Sequence, residues 1–87
     1  MDEHPAHLLQ QRLEAVRERL SPAHPDTLAA WHDLAEHLGE AGDPRRARDL
    51  FTDLVPICER VHGAEHPDTL TARHELAYWK RRARWRL

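Results

Sequence analysis

The pentapeptide His24-Pro25-Asp26-Thr27-Leu28 returns unchanged as His66-Pro67-Asp68-Thr69-Leu70, forty-two residues later in a chain of 87. A fixed period of this size means that one supersecondary unit is used more than once, and such units bury their apolar faces against their neighbours. The similarity runs beyond five residues. Trp31-His32-Asp33-Leu34-Ala35-Glu36 follows the first copy and Arg73-His74-Glu75-Leu76-Ala77-Tyr78 the second, so His, an acid, Leu and Ala recur in register. Upstream, Ala47, Leu50, Leu54, Ile57, Glu59, Arg60 and Val61 match Ala6, Leu9, Leu13, Val16, Glu18, Arg19 and Leu20, with one residue of slippage before His-Pro.

The apolar spacing inside the repeat is helical. Leu28, Trp31, Leu34, Ala35 and Leu38 form one stripe, and Ala47, Leu50, Phe51, Leu54, Ile57, Cys58 and Val61 form another. Gly39-Glu40-Ala41-Gly42-Asp43-Pro44 links them, with glycines suited to a helix end, Asp43 as N-cap and Pro44 in the first turn. Gly63 is placed to end the second helix, and Pro67 suits the first turn of the next. The expectation is an all-α chain of four helices, at 5–20, 24–38, 44–62 and 66–84. They form one domain over 1–87: the second half of a repeat, a full repeat at 24–62, and the first half of another. Pro56, inside the third helix, removes the bond to the Thr52 carbonyl and should kink it.

Paired helices, the period and the His-Pro-Asp-Thr-Leu start together resemble the tetratricopeptide repeats of kinesin light chain, a repeat type also found in bacterial regulatory proteins. Twelve arginines against one lysine fit a GC-rich bacterial genome. The resemblance implies an α-solenoid that binds a protein or peptide on a concave face lined by the first helix of each pair. The residues it places there are His32, Asp33, Glu36 and Glu40, then His74, Glu75, Tyr78 and Arg81. Many peptide-binding members carry Asn where this chain has Asp33 and Glu75. Carboxylates there repel an anionic chain terminus, so the expected ligand is neutral or basic.

By the same resemblance the first helix is the second of a pair and the last helix the first of another, so each lacks its mate. Leu9, Leu13, Val16 and Leu20 on one, and Leu70, Leu76, Ala77, Trp79 and Trp85 on the other, are the expected self-association surface. The arrangement expected is a homodimer, with missing helices of a longer array as the alternative cover. Charge supports pairing: residues 1–72 sum to −7 and residues 73–87 to +5.

That basic end also admits a different reading. Lys80, Arg81, Arg82, Arg84 and Arg86 alternate with Trp79 and Trp85, a mixture able to contact phosphates and stack on bases. The plainer account is a helix C-terminus complemented by cations. Catalysis is not expected, because there is no glycine-rich phosphate loop or nucleophile elbow, and Cys58 lies on an apolar stripe. The eight histidines show no metal-ligand spacing among themselves; His24 and His66 belong to the start motif as caps or packing groups, so no metal or cofactor is expected. With one cysteine, no apolar run of membrane-spanning length and no leader-like start, the chain reads as a cytoplasmic protein.

Overall fold

A computed structural model describes residues 5–19 and 23–85, with side chains described for 7–15 and 23–85. The described residues form four helices and no strand: α1 (Pro5–Arg19), α2 (Pro25–Glu40), α3 (Pro44–His62) and α4 (Pro67–Trp85). The all-α expectation holds. Links of three to five residues leave each helix to fold back beside its predecessor, so α1 packs on α2, α2 on α3 and α3 on α4. The result is a slab of 33 × 32 × 16 Å.

The repeated motif starts both of its helices in the same way. His24 Nδ1 accepts the backbone N–H of Asp26 at 3.0 Å, and His66 Nδ1 accepts that of Asp68, also at 3.0 Å. Each imidazole thus does the work usually given to Ser or Asp, satisfying one of the donors that a helix start leaves over. This requires the tautomer with Nδ1 unprotonated. Pro25 and Pro67 follow, where a missing N–H costs nothing. Thr27 and Thr69 then turn inward and are fully buried; the Thr69 hydroxyl donates to the Cys58 carbonyl at 3.2 Å.

The α2–α3 turn closes as a Schellman motif. Asp43 N–H donates to the Leu38 carbonyl and Gly42 N–H to that of Gly39, with Gly42 at φ 105°. Asp43 in turn caps α3 by accepting from Arg46 N–H at 3.2 Å. α2 therefore runs two residues past the expected end, through Gly39. That glycine serves packing rather than termination: a Cβ there would stand 2.5 Å from Cη2 and Cζ2 of Trp79. α3 continues through Pro56 to His62.

The core is built from Leu13 of α1, the expected α2 stripe, Ala47, Phe51, Leu54, Val55 and Cys58 of α3, and Ala72 and Trp79 of α4. Leu50 and Ile57 are only partly buried and Val61 is exposed, because Val55 takes up part of the inward arc. No helix among the described residues is long and apolar enough to cross a membrane.

Candidate functional site

α2 and α4 meet side by side across the top of α3, and their junction gathers the polar groups. His32 and Glu36 stand one helical turn apart on α2, and Glu75 reaches towards them from α4; all three are half-buried. Their ligand atoms lie within 4.8 Å of one another. The His32 ring is set edge-on against Phe51, with centroids 5.2 Å apart at 80°. Glu75 Oε1 accepts from the buried Trp79 Nε1 at 2.9 Å, so the indole that packs on Gly39 also fixes a carboxylate at the junction.

The electrostatics follow from this crowding. Burial, then the charge of Glu75, hold the Glu36 carboxyl above its usual 4.5; Glu40 and Asp33 push the same way and His32 opposes them. Beside the junction lies an open cavity of ≈ 240 Å³ between the starts of α2 and α4, floored by Leu54 and Cys58 and rimmed by Asp33, His62 and Asp68. Cys58 there is a buried thiol whose pKa is raised by desolvation first and then by Asp68 and Glu59, which is the opposite of an activated nucleophile.

Of the eight expected groove residues, the structure brings together His32, Glu36 and Glu75, with Asp33 and Glu40 exposed near them. His74, Tyr78 and Arg81 lie elsewhere, on an exposed face of α4. The Tyr78 ring sits edge-on to Trp79 at 4.6 Å, its hydroxyl accepts from Arg82 Nη1 at 2.7 Å, and the Arg82 guanidinium lies 5.7 Å from its centroid.

The expected self-association residues divide as well. Leu70, Ala77 and Trp85 are exposed, Trp85 at 81%, and fall on the same α4 face as His74, Tyr78 and Arg81. Leu9 and Leu76 are half-buried. Leu13 and Trp79, expected to await a partner, are each 4% exposed within the chain itself, Leu13 in the main core and Trp79 against Gly39. The Val16 side chain, Leu20 and Arg86 lie outside the described residues.

Lys80, Arg81, Arg82 and Arg84 are exposed. Lys80 and Arg84 share a shallow cavity of ≈ 510 Å³ with Arg45 and Arg48 from the start of α3. The sequence reading missed those two arginines. The signal was available, because antiparallel α3 and α4 set the first turns of one beside the last turns of the other. Arg48 is partly neutralised by Asp49 at 2.9 Å.

Fold and site together define an all-helical protein with a twice-used, histidine-capped helix and an acidic junction between its two copies. No protein-family model, curated protein or solved structure matches the chain.

Proposed function

We propose that this chain is a non-catalytic protein-binding module of tetratricopeptide type that acts in the cytoplasm and pairs with a second copy of itself. The observation that carries the reading is the contrast between Leu28 and Leu70. They hold the same place in an identical pentapeptide, yet Leu28 is 3% exposed and Leu70 40%. Leu28 shares a cavity wall with Leu54 and Cys58 of α3. The corresponding face of α4 carries Leu70, Ala77, Tyr78 and Trp85 and stands open. A helix of the α3 type fits there, and α1 matches α3 in sequence while keeping Leu8 exposed and Leu9 half-buried, with Leu13 already used in its own core. Two copies exchanging these contacts give a reciprocal dimer, and the +5 end of each then meets the −7 body of the other.

The acidic junction is the proposed ligand face, for a neutral or basic peptide. Titration with labelled Lys/Arg-rich and Asp/Glu-rich peptides of equal length tests this. Preferential binding of the basic peptide, weakened by salt and by Glu36→Gln with Glu75→Gln, is expected. Equal binding of both peptides, or of neither, overturns it. The cavity lined by Arg45, Arg48, Lys80 and Arg84 favours a second reading, contact with a polyanion such as nucleic acid. Generic DNA binding that falls steeply with salt and is lost on replacing Lys80 and Arg84 would support that reading instead.

A further inference from the structure

The junction of α2 and α4 has a property that protein binding does not require. Among the described residues, His32, Glu36 and Glu75 form a half-buried group of metal-ligating donor types whose ligand atoms lie within 4.8 Å of one another. We propose that His32, Glu36 and Glu75 bind a divalent transition-metal ion of the Zn2+ or Co2+ type, through one imidazole nitrogen and two carboxylate oxygens.

Three features of the chain support the assignment. The first is placement: His32 and Glu36 are i and i+4 on α2, a pairing that sets two side chains on one face, and Glu75 supplies the third donor from a separate rigid helix. Ligands at tetrahedral distances of about 2.0–2.2 Å stand roughly 3.3–3.6 Å apart. The present spread of at most 4.8 Å exceeds that by roughly 1 Å, a difference on the scale of side-chain rotation.

The second feature is orientation. Metal ligands work best when outer groups fix their direction. Phe51, fully buried, backs the His32 ring, and Trp79 Nε1 donates to Glu75 Oε1, which fixes the direction of that carboxylate. The third is charge. Glu36 is crowded by Glu75, Glu40 and Asp33, and a dication placed among them removes that repulsion. One imidazole with two carboxylates suits borderline transition ions, whereas an all-oxygen set would suit Mg2+ or Ca2+. Three protein donors also leave a coordination position for water.

The histidine spacings considered in the sequence could not show this site, because its other two donors are glutamates and one lies 39 positions further along the chain than Glu36. The site shares side chains with the proposed peptide face but is independent of it, so its test uses metal alone. Calorimetric titration of the whole chain with Zn2+, and visible absorption with Co2+, should each show one ion per chain. Glu36→Gln and Glu75→Gln, which keep the shape of the side chain, should weaken binding at least about tenfold, as should His32→Ala. His62→Ala and His74→Ala should leave it unchanged, and metal-free circular dichroism should show every variant folded. Absence of binding in the native chain overturns the proposal. So does binding that survives Glu75→Gln and His32→Ala, or that is lost in His62→Ala, which would place the ion at the stacked His62–His66 pair, 4.4 Å between centroids.

Discussion

α2 and α4 begin with the same five residues and end in different surroundings. Their starts coincide: the same imidazole cap, the same proline and the same fully buried threonine. Beyond that point the pairs diverge, because α2 lies against α1, α3 and α4, whereas α4 packs chiefly on α3. Leu28, Trp31, Leu34 and Ala35 are buried, while Leu70, Arg73 and Ala77 are exposed and Leu76 half-exposed. Local sequence sets where such a helix begins, and neighbours set which of its side chains are covered. One pair makes the point sharply. Gly39 admits the Trp79 indole onto α2, and the same repeat position in α4 is Arg81. A third helix of this kind would not dock on α4 as α4 docks on α2, because Arg81 stands where Gly39 leaves room for an indole.

The largest expected effect breaks the symmetry of the leucines. Leu28→Ala should cost about 2–5 kcal/mol, as for a buried leucine, and Leu70→Ala no more than about 0.5 kcal/mol in the isolated chain, read by urea unfolding at low concentration. Equal costs would mean that α4 is as enclosed as α2.

Next comes Gly39→Ala. In an open helix this change stabilises by about 1 kcal/mol. Here the new methyl meets the Trp79 ring, so a loss of about 1–3 kcal/mol is expected, with Trp79→Phe recovering part of it in a double-mutant cycle.

The caps should behave alike. His24→Ala and His66→Ala should each cost about 1 kcal/mol, and Asn at either place should restore most of it. A large difference between them would show that one imidazole acts by packing instead.

The smallest effect is that of Glu36→Gln. Because burial raises the Glu36 pKa above 4.5, the folded state holds its proton more tightly than the unfolded chain does. Glu36 therefore lowers stability at neutral pH, and the penalty fades as pH falls through the raised value towards 4.5. Glu36→Gln should equal or slightly exceed the native chain in melting temperature at pH 7, with the difference vanishing near pH 4.

Most of the fold could be read from the chain because its signals are local. The His-Pro caps, the Gly42–Pro44 turn and the α2 stripe each act within a few residues, and each was found where expected. What escaped were contacts between distant residues. Nothing within the α2–α3 link pairs Gly39 with Trp79, so the glycine reads as a helix end and the tryptophan as a free surface. Periodicity placed Glu36 and Glu75 on one side of the molecule but could not bring them to a shared point with His32. Arg45 and Arg48 join Lys80 and Arg84 only through antiparallel packing.

The central claim is that the α4 face carrying Leu70 and Trp85 is covered by a second copy. The direct test is absolute molar mass by light scattering across protein concentration and salt. The account predicts a species of twice the 10.2 kDa chain mass, reduced to a monomer by Leu70→Asp. A native chain that stays at 10.2 kDa at every concentration would contradict it.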